Sequence, residues 1–424
     1  MHFFTSTSIG NMISLVSLVA FIVLIWFSLD MRSILRSGQR KNQLSIEGRW
    51  KDLEDHFKQI SKPCRPFVWF HQKYLMPGNI AVQYALFLYK QGRLEESLAK
   101  VDQAIRQVEG KPGIFRDIFR SGTFTTQRGA LKARILILTG LGRYDQARAS
   151  AAQLEQLTGA NGRPPASLAL LEYYCGHLDE ALAMAQDVRP EDSQYDAMRG
   201  VTALAYNAKG EFDQAIQALT YEPCRISKFY SREGMESMKE VPEGAKLIEL
   251  QEKKLAGVFQ PARLLQLAHV HVAHEKFEEA VQMLDQAEKT MGPELGIQTS
   301  YCRHRACSFA GLGNTVEAEK YIERMRALVQ KTPKRSLLWE THFAAGQSYF
   351  YLGRFSDALA ELNEAQRSVL HPIEKHFTAY WTARTNEAAG DRPAAVLHYQ
   401  IVAADPIPSR MQKYAAEALA RLKS

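Results

Sequence analysis

One short phrase recurs along this chain and constrains its fold more than any other feature. It reads Gly, a variable residue, an aromatic residue or Leu, two polar residues and Ala. Clear copies occupy 142–147, 176–181, 210–215 and 353–358, and two successive steps between the glycines are 34 residues long. A fixed period of this size is typical of arrays in which each unit packs mainly against its neighbours.

Weaker copies extend the series in both directions. They begin at Gly92, Glu275, Gly313 and Gly390, and a degenerate copy begins at Gly48. Gly favours the end of a helix because it adopts a left-handed backbone at low cost. A small residue lies seven positions before the Gly position, where it lets a second helix approach closely: Ala85, Ala169, Ala203, Ala268, Ala306, Gly346 and Ala383, with Ile135 as the exception.

These features resemble the tetratricopeptide repeat (TPR) family, whose unit is a helix–turn–helix of 34 residues. The resemblance covers about residues 42–422. It implies an all-α fold, a TPR-like α-solenoid, which here would follow the one N-terminal transmembrane helix predicted from segment 9–29. We expect a first sub-array over 44–220 and a second over 258–424. The segment 221–257 fills a step of 65 residues and is interpreted as a degenerate repeat or an insertion.

The N-terminal segment 9–29 contains no charged residue. As a helix it would extend roughly 31 Å, which is about the thickness of a bilayer's hydrocarbon core. A short tail (1–8) would precede this transmembrane helix, and a basic juxtamembrane linker (30–43) would follow it. A cleaved signal peptide is the alternative, but 1–8 has no Lys or Arg and no A-x-A-like site follows. A buried helix of a soluble domain would need a hydrophilic face that this segment lacks.

The flanking charges predict an orientation for this helix. Arg32, Arg36, Arg40 and Lys41 all follow it, and basic residues stay on the cytoplasmic side. We therefore expect a single-pass membrane protein with its N-terminus outside and its array in the cytoplasm. The architecture resembles that of TPR proteins of the bacterial inner membrane. One type of these ends in a metal domain with C-x-x-C pairs, which this chain lacks.

Composition excludes some classes of partner and site. The net charge is +7, but part of that surplus is the basic flank, and the rest is too dilute for a nucleic-acid surface. The five cysteines show no framework spacing and are expected to be reduced. On a helix His271 and His274 share a face while His269 points elsewhere, and two histidines without a third ligand make a poor zinc site. Cys302 and Cys307 would lie about 140° apart on a helix. No phosphate loop, G-x-S-x-G or H-E-x-x-H occurs, so we expect no metal, no cofactor and no enzymatic activity.

The resemblance to TPR arrays implies that the first helices of the units line a concave groove. Positions two, three, six, nine, ten and thirteen before the Gly tend to face such a groove, and several are aromatic here, Tyr89 and Trp381 among them. Aromatic and Arg side chains are common anchors in recognition, although about half of these aromatics could instead pack between repeats. The predicted partner-binding residues are Tyr173, Tyr174, Arg305, Phe343, Phe350, Tyr351, Tyr380 and Arg384, with emphasis on 336–400.

The sequence thus favours a non-enzymatic scaffold or adaptor that is tethered to a membrane and binds a protein or peptide. Two alternatives stay open: a receptor or assembly factor for a translocated or membrane-assembled protein, and an enzyme or enzyme subunit with a site in 221–257. Binding of chaperone tails is disfavoured, because the family's clamp needs Asn six before the Gly and no unit has it. The bilayer is the second expected partner, through 9–29, and the oligomeric state is left open.

Overall fold

The fold was obtained as a computed structural model, which describes residues 36–45, 47–61, 78–109, 120–158, 164–186, 188, 195–220, 242–330 and 335–423. The regular structure in these ranges is entirely helical, without a strand. The predicted tail 1–8 and transmembrane helix 9–29 lie outside the described residues. Within them, no helix combines the length and the apolar character needed to cross a bilayer.

After a helical segment over 36–45, the described helices follow one another in antiparallel pairs. They are α1 (Trp50–Ile60), α2 (Asn79–Lys90), α3 (Leu94–Glu109), α4 (Arg120–Gly140), α5 (Tyr144–Thr158), α6 (Ala166–Cys175), α7 (Leu178–Gln186), α8 (Tyr195–Lys209), α9 (Phe212–Leu219), α10 (Pro242–Ala273), α11 (Phe277–Glu288), α12 (Leu295–Gly311), α13 (Thr315–Gln330), α14 (Arg335–Tyr351), α15 (Phe355–Ser368), α16 (Pro372–Ala388), α17 (Arg392–Ala404) and α18 (Arg410–Lys423). The segment 36–45 pairs with α1, the later pairs run from α2–α3 to α16–α17, and α18 follows the last pair.

Each pair turns at the residue where the recurring phrase begins. Gly48, Gly92, Gly142, Gly176, Gly210, Gly313, Gly353 and Gly390 all have φ between +68° and +87°. The ninth turn is made by Glu275, whose φ is +58°. A residue with a side chain is strained in this left-handed conformation by roughly 1–2 kcal/mol. The predicted helix–turn–helix units are therefore present, and one of them carries a strained turn.

The two helices of a pair meet at the small residues of the phrase. Ala85, Ala169, Ala268 and Ala306 are fully buried on the first helices. At the equivalent Gly346, an added Cβ would lie 2.8 Å from Cγ of Leu362 on the partner helix. The Ala five positions after the Gly is fully buried as well: Ala147, Ala181, Ala215, Ala280, Ala318, Ala358 and Ala395. This tight crossing confirms the TPR-like α-solenoid.

Two predicted boundaries do not coincide with the ends of helices. Residues 36–43, predicted as part of the linker 30–43, belong to a helix that continues to 45, and Asn42 is buried, so the first unit begins before residue 44. The predicted boundary at 257 falls inside a helix, since α10 runs unbroken through it and through Pro261. Within the segment 221–257, residues 242–257 are thus the start of a long first helix, and 221–241 lie outside the described residues.

The described array closes on itself, because loops between late units pack on turns of early ones. Pro293 lies against Gly48, Ile407 against Gly176, and Arg410 against Gly210. Helix α16 contacts α6, and α18 contacts α8. We call this line of contacts the seam. It turns the expected open groove into a partly enclosed space.

Candidate functional site

The concave side of the closed array holds a cavity of about 740 Å³, which we call the chamber. Its walls come mainly from the first helices α6, α8, α10, α12, α14 and α16, and from the final helix α18. Binding pockets for compact ligands are typically of about this volume.

The repeat register explains which side chains face the chamber. Counting six residues back from the turn gives Leu204, His269, Cys307, Gln347 and Arg384 in five successive units, and all five line the chamber. The same position repeats because each first helix meets the concave side at the same angle. One column of side chains therefore runs across the whole wall, and the residue type at that column sets its local chemistry.

The structure brings together most of the residues that the sequence predicts as a site. Tyr173, Tyr174, Phe343, Tyr351, Tyr380 and Arg384 line the chamber, as does Trp381. Tyr173 and Tyr174 come from the first sub-array, so the site is not confined to 336–400. Arg305 and Phe350 are not among the lining residues.

Arg305 is committed to contacts between helices. Its guanidinium donates to Asp285 Oδ1 at 2.5 Å and to the Tyr301 hydroxyl at 2.9 Å. Only 4% of the residue is exposed. It lies eight positions before its Gly, which is off the concave face, and its charge is neutralised by Asp285 of α11, the second helix of the preceding unit.

Phe350 supports the chamber from behind. The Arg384 guanidinium lies over the rings of Phe350 and Trp381, at 4.8 and 4.9 Å from their centroids. Stacking of this kind holds a guanidinium in a fixed plane. Phe350 therefore orients Arg384 without lining the chamber itself.

The strained turn residue points its carboxylate at the same arginine. Glu275 Oε1 accepts from Arg384 Nη2 at 3.0 Å, and the Tyr351 hydroxyl lies 3.5 Å from the same carboxylate oxygen. Burial, followed by the nearby Glu275 carboxylate, raises the pKa of Tyr351. Tyr351 is therefore a neutral donor, and Glu275 is the chain's own counter-ion for Arg384. A strained backbone at such a position is a common mark of a functional site.

A second arginine enters the chamber from the seam. Arg410 donates through Nη1 to the backbone oxygen of Asn207 and, at 3.0 Å, to its Oδ1. Its guanidinium lies 5.1 Å from the centroid of the Phe212 ring. No carboxylate of the described residues forms an ion pair with it, and desolvation lowers its pKa.

Histidines of α10 and α12 add a neutral patch beside these cations. The rings of His269 and His304 lie 5.2 Å apart, and His304 Nε2 lies 3.1 Å from Arg303 Nη2. Burial, aided by Arg303, holds the pKa of both histidines well below the usual range. His274 also lines the chamber and stacks on Phe212 at 4.3 Å, whereas His271 is not a lining residue.

The remaining wall is aromatic, and two of the buried polar atoms of the lining residues, Arg303 Nε and Trp381 Nε1, have no hydrogen-bond partner. Trp339 stacks on Phe343 at 4.8 Å, and Tyr380 lies 6.4 Å from Tyr414. The buried Nε1 of Trp381 has no hydrogen-bond partner. An unsatisfied indole N–H costs free energy until an acceptor reaches it.

Two expectations about chemistry concern the cysteines and metal binding. Burial raises the pKa of Cys302 and Cys307 to about 11, so both are protonated thiols. Cys175, Cys302 and Cys307 form no disulfide. Among the described residues, no three or more His, Cys, Asp or Glu side chains are grouped as a metal site.

The seam also carries hydrogen bonds beside the chamber. The Tyr144 hydroxyl lies 2.8 Å from His371 Nδ1, and the His371 ring stacks on Tyr174 at 4.1 Å. Lys90 pairs with Glu294 at 2.8 Å. These contacts hold the early units against the late ones, and they therefore help to determine the shape of the chamber.

Sequence reasoning missed the most distinctive cation. Arg410 lies on α18, after the last repeat, where no register applies and where only closure of the array reveals its place. Arg303 could have been predicted from the repeat register. It lies ten positions before its Gly, as Phe343 and Tyr380 do in their units, and all three line the chamber.

Comparison with known proteins gives only a loose likeness. No family model and no curated protein matches the chain. Among solved structures, it is similar to the crystal structure of the APC/C hetero-tetramer Cut9–Hcn1, with 11% identity, 91% of this chain and 75% of that chain covered, and a TM-score of 0.42. It is also similar to yeast Tom70, with 12% identity, coverage of 92% and 94%, and a TM-score of 0.27. At this level the likeness carries no argument about partners.

Proposed function

We propose that the chain is a non-enzymatic scaffold that holds a segment of a partner protein in the chamber. The observation that carries this proposal is the chamber itself, whose lining combines aromatic anchors with arginines that stack on aromatic rings. Buried aromatic and Arg side chains supply most of the free energy in protein recognition. The units around the chamber are rigidly packed, so little ordering free energy is lost on binding.

The lining favours a scaffold over a receptor for translocated chains. Such a receptor needs a largely apolar groove, because its clients differ in sequence and share exposed apolar segments. Here the aromatic wall is interrupted by Arg303, Arg384, Arg410, Glu275 and Glu340. Mixed charge selects one partner among many.

A triple variant tests the proposal directly. Alanine at Tyr351, Tyr380 and Arg384 removes two anchors and one cation, and should weaken capture of the partner by well over tenfold. The measurement is co-purification from source cells with the full chain in mild detergent, followed by quantification of each captured protein. The matched control carries Ala at Val316, Leu397 and Arg367, which are exposed and lie outside the chamber. Equal capture by both folded variants would refute the chamber as the site.

We also propose that the scaffold is tethered to a membrane through 9–29, with the array on the cytoplasmic side of a bacterial inner membrane. The support is the uncharged stretch of 21 residues and the basic residues after it. Tethering would raise the local concentration of the partner near the bilayer. Sealed inner-membrane vesicles of known sidedness provide the test. Protease should digest the array only when the cytoplasmic face is outside, and a chain released by carbonate extraction would contradict the tether.

A further inference from the structure

We propose that the chamber recognises a peptide segment through a single carboxylate, which binds at Arg410. This inference rests on the proposed function and deepens it, since it states the chemistry of the partner. It follows from the charges around the chamber, taken one at a time.

Arg410 is the cation that lacks a counter-ion. Its Nη1 donates to Asn207, which is uncharged, and its Nε and Nη2 donate to none of the described residues. Burial lowers the pKa of Arg410, and four nearby tyrosines act in the opposite direction: Tyr173, Tyr351, Tyr380 and Tyr414. A guanidinium removed from water without an anion is costly, and a carboxylate held by two N–H donors offsets that cost.

The other arginines of the chamber already have acidic partners. Arg384 pairs with Glu275 at 3.0 Å, and Arg421 pairs with Glu387 at 2.5 Å. Arg303 lies 3.8 Å from Glu340. An incoming carboxylate therefore meets one uncompensated cation, and the acids beside the other arginines repel further negative charge.

This arrangement selects against polyanions. The chamber is lined by four arginines and by five glutamates, Glu275, Glu340, Glu374, Glu387 and Glu417. A nucleic acid or a highly acidic tract would place several charges against these glutamates. One Asp, Glu or terminal carboxylate next to an aromatic or aliphatic side chain satisfies Arg410 and the aromatic wall together.

Peptide libraries test this chemistry without knowledge of the partner. Four sets of randomised octapeptides, acetylated and amidated at their ends, carry Glu, Gln, Lys or Ala at the fixed fifth position. The other positions are drawn from uncharged residues. The full chain is immobilised in mild detergent, and the retained fraction of each set is measured. We expect the Glu set to be retained at least about tenfold more than the isosteric Gln set.

The variants assign that preference to one side chain. R410Q should reduce retention of the Glu set to that of the Gln set, and R410K should keep only part of the preference, because Lys lacks the planar pair of donors. The control R367Q removes an exposed arginine of α15 outside the chamber and should behave as the unmodified chain. Thermal unfolding of each variant shows whether it is folded. If R410Q unfolds, R410K alone decides the question: a ratio of Glu-set to Gln-set retention that is reduced but not lost supports the assignment to Arg410, and a ratio equal to that of the unmodified chain overturns it.

The outcomes separate the two proposals. Equal retention of the Glu and Gln sets, with loss of both in the triple alanine variant, would overturn the carboxylate inference and leave the chamber as a peptide site. A Glu preference that survives in folded R410Q would also overturn it. Retention of none of the sets, or retention that the triple variant does not change, would refute the proposed function itself. Preferential binding of a single-stranded oligonucleotide through Arg410 would replace the peptide by a polyanion.

Discussion

The turn glycines of the first and second halves share one backbone conformation but differ in what surrounds them. In the first half, an added Cβ would lie 2.5 Å from Ile407 at Gly176 and 2.9 Å from Pro293 at Gly48. In the second half, the same atom at Gly313, Gly353 or Gly390 would meet nothing within 4 Å. The repeated phrase determines the turn in both halves. Closure of the array adds contacts from Pro293 and Ile407 to turns of the first half. Substitutions at these turns therefore test whether the seam forms, and the seam helps to shape the chamber.

The largest expected effect separates these two constraints. G176A adds both the strain of a left-handed side chain and the overlap with Ile407, and should lower the free energy of unfolding by about 2–4 kcal/mol. G353A adds only the backbone strain and should cost about 1–2 kcal/mol. Chemical denaturation of the two variants measures the difference. Equal losses would mean that the seam does not form.

Acid should expose a second difference between the halves. Among the described histidines whose pKa is lowered by burial, only His56 belongs to the first half, and His269, His304, His376 and His398 are among those of the second. A group with a lowered pKa in the folded state binds fewer protons than it does when unfolded. Stability is therefore complete above the unfolded pKa of about 6.5 and falls below it, by up to about 1.4 kcal/mol per pH unit for each buried histidine.

Variant H304Q tests the acid effect, because His304 is 2% exposed. Between pH 6.5 and pH 5 its unfolding free energy should fall less steeply than that of the unmodified chain. Hydrogen exchange should show α10, α12 and α16 opening before α4 and α5. Uniform loosening of all helices, or an unchanged slope in H304Q, would contradict this assignment.

The smallest expected effect concerns the turn at Glu275, the turn of the described units that lacks Gly. E275G restores the residue that every other described turn has, and should raise the free energy of unfolding by up to about 1 kcal/mol. It also releases Arg384, so peptides with two carboxylates should bind more tightly than they do to the unmodified chain. A stability gain without any change in binding would mean that Glu275 serves the turn alone.

The sequence predicted the repeats well, because their chemistry is local. Gly at the turn and Ala at the crossing follow from backbone conformation and helix contact, which neighbouring residues decide. The seam could not be predicted in this way. Pro293, His371 and Ile407 lie in loops that share no phrase, and their contacts depend on rotations that accumulate over several units.

The candidate site shows the same division. Residues in register, such as Tyr351 and Arg384, were placed on the correct face by counting from the Gly. Arg305 lies eight positions before its Gly, two positions from Cys307 at the groove-facing position six before it. Two positions on a helix change the direction of a side chain by about 200°, so Arg305 does not face the chamber. Arg410 lay beyond any register, since it belongs to the helix that follows the last unit.

Photocrosslinking in source cells tests the central claim, that the chamber holds a partner segment, most directly. A benzoylphenylalanine replaces either Tyr414, which is 41% exposed and lines the chamber, or Val316, which is 75% exposed and does not. The account predicts a discrete adduct from position 414, lost when R410Q is added, and none from position 316. Adducts of equal yield from both positions would contradict the central claim, whereas an adduct at 414 that R410Q leaves unchanged would overturn the carboxylate inference alone.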